Sequence, residues 1–145
     1  MTIDSAEHVA RLVAEAILNR LGDQAPGWRI ITIDESSIAV GPRPPGENPE
    51  PRSLRITLGP AGTGPAGTGP GGTVAVYFSL DVERQLATLA LADQIQTHAL
   101  EETHGNPLPP CPDHAHPLTP RLRPGGMAVW TCPSDPAHFE EPIFA

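Results

Sequence analysis

The chain has 145 residues and a net charge of −8, and its nine basic residues are all arginine. That length fits one domain, or a small domain with a smaller appendage. The charge disfavours nucleic-acid binding, which draws on a basic patch to release phosphate counterions; here only Arg121 and Arg123 form a close pair.

The first element predicted is a helix over "DSAEHVARLVAEAILNRLGD". Asp4 and Glu7 have the spacing of a capping box, with Ser5 as the alternative cap. Val9, Leu12, Val13, Ala16, Ile17 and Leu21 recur at the spacing of one buried stripe, and Gly22 supplies a left-handed stop. Arg11, Glu15 and Arg20 interrupt the apolar run, so it is neither a signal peptide nor a membrane span, which needs about 20 apolar residues. A cytoplasmic location follows as the expectation.

Next come β-branched residues. Trp28 to Ile33 and Ile38 to Val40 read as two strands joined at "DESS", and a proline-rich loop follows over 42–53. Leu54, Ile56 and Leu58 alternate to one face of a third strand. The repeat "GPAGT", "GPAGT", "GPGGT" (59–73) has no side chains for a core, and it lacks the lysine and following helix of a phosphate-binding loop. It reads as a long hairpin loop into the strand "TVAVYFSL". A second helix is predicted over 82–105, with Asp81 as its N-cap, Leu86, Leu89, Ala90 and Ile95 on its apolar side, and Gly105 at its end.

The order is helix, four strands, helix. Residues 1–105 are expected to form an α+β domain in which a four-stranded, mostly antiparallel sheet carries two helices on one face. Residues 106–145 form a proline-rich appendage that reads as zinc-ribbon-like. Aromatics are only 4% of the chain, so the core falls mostly to Leu, Ile, Val and Ala.

The chemistry is concentrated in the appendage. "CPDHAHPL" (111–118) and "WTCPSDPAH" (130–138) hold both cysteines and three of the six histidines. "GGMAVWT" reads as a short strand delivering Cys132. The pattern is C-x2-H-x17-C-x5-H for Cys111, His114, Cys132 and His138, or begins C-x4-H if His116 replaces His114. Two thiolates and two imidazoles make a closed tetrahedral set of the kind that holds structural zinc. In a reducing compartment the thiols stay free for metal rather than pairing. So short a segment would draw folding free energy from the ion, on the order of 10 kcal/mol in small zinc peptides.

"PPCPDHAHPL…PGGMAVWTCPSDPAH…PI" resembles the C-terminal motif of small actinobacterial proteins with a C-P-x-H-x-H-P and V-W-x-C-P pattern. The resemblance covers only the appendage and implies a shared zinc-ribbon-like module, without a specific activity. A lysine-free chain rich in Ala, Pro and Gly suits the codon usage of such a high-GC genome.

The sequence therefore points to a non-catalytic accessory or interaction protein with a structural metal knuckle. It would have a protein partner, and a phage-tail-like particle is one version of the assembly it would join. The alternative is a metal-dependent hydrolase resembling HNH nucleases, with Asp113, His114 and His116 as the catalytic group. The acidic charge and the lack of a following metal-binding helix count against it. A hydrolase of the G-x-S-x-G kind is excluded because the motif is absent, and both cysteines precede proline rather than opening a helix.

Overall fold

A computed structural model describes residues 3–22, 28–36, 53–60, 72–103, 108–112, 114–135 and 137–144. Helix α1 spans Ile3–Leu21. Strands β1 (Trp28–Ser36), β2 (Ser53–Pro60) and β3 (Val74–Ser79) follow, then helix α2 (Arg84–Glu102). Three short strands end the chain: β4 (Thr119–Leu122), β5 (Ala128–Thr131) and β6 (Glu140–Pro142). The class is α+β, as expected. The single four-stranded sheet is not what forms: there are two separate three-stranded antiparallel sheets, ordered β1-β2-β3 and β4-β5-β6.

The first difference lies at "DESS". Asp34, Glu35 and Ser36 are not a turn but the end of β1, paired with Arg55, Leu54 and Ser53. A ladder is made by backbone groups, so polar side chains do not end a strand. Here Asp34 and Arg55 face one another across it at 3.6 Å. A register shift between Ile30 and Thr32 marks a bulge that lets the strand continue. The strand expected over 38–40 and most of the repeat loop lie outside the described residues.

Both helices bury part of the expected stripe, Val13, Ile17 and Leu21 in α1 and Ile95 in α2, but the buried face is turned toward the alanines. In α1 the buried residues are Ala6, Ala10, Val13, Ala14, Ile17 and Leu21, while Leu12 is 39% exposed. In α2 they are Ala87, Thr88, Leu91, Ala92, Ile95, Gln96 and Ala99, while Leu86 is 42% exposed. Alanine is the reason. Its small side chain lets helices approach closely, so the contact face follows the alanines rather than the largest apolar residues. Neither cap is the expected one. Helix α1 is already formed at Ile3, ahead of Asp4 and Ser5. Glu83, not Asp81, caps α2, its carboxylate accepting from the Gln85 amide at 3.0 Å. Gly22 does close α1, with φ of 80°.

Helix α2 packs against α1, β3, β4 and β5, and so stands between the two sheets. One continuous core runs from Ala6 through Ile56, Leu91 and Ile95 to Leu118, Trp130 and Ile143. Three glutamines of α2 tie the layers together. Gln94 accepts from the Tyr77 amide and donates to the Tyr77 carbonyl, both at 2.9 Å, which occupies the open edge of β3. Gln85 accepts from the Ala128 amide at 2.8 Å. Gln96, itself buried, donates to the carbonyls of Leu108 (3.1 Å) and Leu118 (2.5 Å). Arg20 of α1 is ion-paired with Glu141 of β6. Among the described residues no helix is long and apolar enough to cross a membrane.

Replacing Gln96 with Leu would leave two buried carbonyls without their donor, and a buried acceptor left unmade costs about 1–3 kcal/mol. Gln96→Leu should therefore lower stability in urea unfolding by about 3 kcal/mol. Thr97→Ala, on the exposed face of the same helix, should stay within about 0.5 kcal/mol of the parent chain.

Candidate metal centre

The second sheet is too small to stand alone, since its strands have only four, four and three residues. Its central strand, β5, is buried at all four positions. The edge strands carry Pro120 and Pro142, which cannot donate to a further strand. Between β4 and β5 the chain turns at "RPGGM". There Gly126 donates to the Arg123 carbonyl at 2.9 Å, and Gly125 and Gly126 hold φ of 104° and 91°. This tight hairpin fixes Cys132, the residue just past β5, opposite the segment that enters β4.

That segment is the loop from Leu108 to Leu118. Its base is clamped by Gln96 on the carbonyls of its two end residues, whose side chains are both buried. Inside the clamp, the Leu118 amide donates to the Pro109 carbonyl at 2.8 Å and the Cys111 amide to the His116 carbonyl at 3.2 Å, beside a Pro110–Pro117 bridge. The loop thus doubles back on itself. Cys111 is brought beside His114, with Sγ 3.2 Å from Nδ1.

The second arm connects β5 to β6. The Cys132 amide and the Thr131 hydroxyl both donate to the Phe139 carbonyl, at 3.2 and 3.1 Å. Asp135 orders the tip, accepting from the Ala137 amide on Oδ1 and from the His138 amide on its carbonyl. Cys132 Sγ then lies 3.6 Å from His114 Nδ1 and 3.9 Å from His116 Nε2.

Four donors meet here. One ligand atom each from Cys111, His114, His116 and Cys132 all lie within 4.8 Å of one another. Both cysteines are free and buried, whereas His114 is exposed and His116 half-buried. The sulfur side of the cluster therefore belongs to the core and the imidazole side faces outward. His116 Nδ1 is 3.3 Å from the Pro117 carbonyl. A proton on Nδ1, shared with that carbonyl, leaves the Nε2 lone pair for a metal, which is the orientation outer hydrogen bonds give ligating histidines. Ser134 Oγ is a further neighbour of Nε2, at 3.4 Å. Two thiolates and two neutral imidazoles would match the charge of a divalent ion, so the set could hold one.

The sequence left His114 and His116 as alternatives and took His138 as the fourth ligand. The structure brings both of the former into the group. Their rings stack at 4.8 Å, 15° from parallel. His138 is not in the four-donor group; its ring stands edge-on to that of His114, with centroids 4.9 Å apart. The signal was present in "HAH". A His-x-His pair places two imidazoles close in sequence, and the bend over 114–116 lets both reach the same point. Asp113, the third member of the nuclease-like group, lies outside the described residues.

No protein-family model, curated protein or solved structure matches this chain.

The ligand set has a direct test. Losing an outer partner of a metal ligand typically costs 10–100-fold in affinity, and losing a ligand costs more. In competition with a chromophoric chelator, His116→Ala should weaken metal binding by more than about 100-fold. His138→Ala should keep the stoichiometry of the parent chain and lose no more than about tenfold in affinity.

Proposed function

We propose that Cys111, His114, His116 and Cys132 hold a structural zinc ion, and that the chain is a non-catalytic accessory or interaction protein. The observation that carries this reading is the convergence of four donors of the right types. In a tetrahedral site with zinc–sulfur and zinc–nitrogen bonds of about 2.3 and 2.0 Å, a sulfur and a nitrogen ligand lie roughly 3.5 Å apart. The sulfur–nitrogen separations of 3.2, 3.6 and 3.9 Å bracket that value. Four protein ligands fill the coordination shell and leave no position for a reactive water, which separates a structural site from a catalytic one. The nuclease reading needs such an open position and is the weaker for it.

Two free cysteines side by side fit a reducing compartment such as the cytoplasm. The C-P-x-H-x-H-P and V-W-x-C-P pattern, which resembles that of small actinobacterial proteins, is in keeping with a zinc-ribbon-like module. The role proposed for it is to present a small rigid sheet to a protein partner within a larger assembly. A phage-tail-like particle is the specific version, reached by analogy of fold alone.

Elemental analysis of the purified chain decides the first part. One zinc per chain is expected, lost in Cys132→Ser. Chelation should lower the melting temperature by more than 10 °C, because the ion's binding free energy is folding free energy. A metal-free chain whose melting is unchanged by zinc or chelator would overturn the reading. Recovery of the native chain with a large particle on size exclusion would support the assembly role, and its recovery only as a free monomer would oppose it.

A further inference from the structure

A second site lies away from the Cys/His cluster and shares no residue with it. Helix α1 and strand β1 flank an open cleft of about 470 Å³. Leu18, Trp28 and Ile30 give it an apolar wall, and Arg11 of α1 and Arg29 of β1 are among its lining residues. Its size falls within the range of small-molecule pockets. Trp28 is almost fully buried behind it, which makes the wall rigid as well as apolar.

The arginines are the informative part. The chain carries 17 acidic residues against nine arginines, so a guanidinium has many carboxylates to choose from. Arg20, Arg55 and Arg123 each take one. Among the described residues, Arg11 and Arg29 make no ion pair and no hydrogen bond. Arg11 does not pair even with Glu15, one helical turn away and lining the same cleft. Two arginines without a carboxylate partner, lining a cleft with an apolar wall, suit an anion with an apolar body. Arginine's planar donor fork matches a carboxylate in two parallel hydrogen bonds. Glu15 sets the charge of the guest: its carboxylate opposes a dianion such as a phosphate ester and tolerates a monoanion. Asn19 adds a neutral amide to the lining.

We propose that the cleft between α1 and β1 is a binding site for a small amphipathic monocarboxylate, its carboxylate held by Arg11 and Arg29 and its apolar body laid against Leu18, Trp28 and Ile30.

Octanoate is a suitable probe, with octanol and octylamine as matched neutral and cationic chains and inorganic phosphate as the anion without an apolar body. Calorimetric titration of the full chain should show saturable one-to-one binding of octanoate, accompanied by a change in tryptophan fluorescence. Octanol, octylamine and phosphate should each bind at least about tenfold more weakly, the size of one lost charged hydrogen bond. Arg11→Gln and Arg29→Gln should each weaken octanoate about tenfold, while Arg29→Lys retains part of the affinity. Ile30→Trp, which fills the apolar wall, should abolish binding in a chain whose circular dichroism and melting match the parent. Absence of saturable octanoate binding would overturn the proposal. So would equal affinity for octanol, phosphate as tight as octanoate, or octanoate binding that survives both arginine substitutions.

Discussion

One buried side-chain amide sets the geometry on which the cluster depends. Gln96 donates two hydrogen bonds, to the carbonyls at the two ends of the loop that carries Cys111, His114 and His116. A loop closed at its base by a rigid helix loses most of its conformational freedom before any ion arrives. Within it, the amides of Cys111 and Leu118 bond back to the carbonyls of His116 and Pro109. The same residue explains why a polar side chain occupies the buried face of α2. A leucine there would pack, but it would leave Leu108 and Leu118 with nothing to receive.

The other two glutamines extend this logic across the molecule. Gln94 completes the edge of the first sheet by standing in for the missing strand beside β3. Gln85 satisfies the first amide of β5. Helix α2 thus acts as a hydrogen-bonding post as well as an apolar one, and the two sheets are positioned relative to each other through it. That arrangement suits a chain with only 4% aromatic residues. Where the core is built of Ala, Val, Leu and Ile, packing alone specifies orientation loosely, and directional hydrogen bonds narrow the choice.

Much of this was legible in the sequence, and what was not has identifiable causes. The helices announce themselves by period and length, so their extent was readable within a few residues. Their buried faces were readable only in part: Val13, Ile17, Leu21 and Ile95 are buried as expected, but weighting the large residues favours Leu12 and Leu86, while the contacts also follow Ala10, Ala14, Ala87 and Ala92. The polar tetrad "DESS" suggested a turn because propensity describes single residues, whereas the cross-strand pairing of Asp34 with Arg55 belongs to a partner 21 positions away. The partition into two sheets depends on which strands share α2, and no local pattern encodes that. The cysteines were readable because few residue types and a following proline mark them. The choice of histidines depended on how the loop folds, and His114 with His116 come together only because the clamp turns the loop back on itself.

The position of the cluster gives the proposed ion a wider reach than a detached knuckle would have. Cys111 and Cys132 are members of the same continuous core as Ile17, Ile56 and Ile95, and Trp130, two residues before Cys132, is its largest fully buried side chain. Tension or slack at Cys132 is therefore felt by β5, and through β5 by α2, because a close-packed interior transmits displacement rather than absorbing it. An ion at the cluster would order the loop and at the same time fix β4 and β5 against α2, the helix that the first sheet also packs on. Metal-driven folding and apolar burial would then stabilise one cooperative unit. The proline-rich composition of the C-terminal segment is consistent with that dependence: prolines lower the entropy of the unfolded chain but supply few donors, so the remaining order has to come from the helix on one side and the four donors on the other.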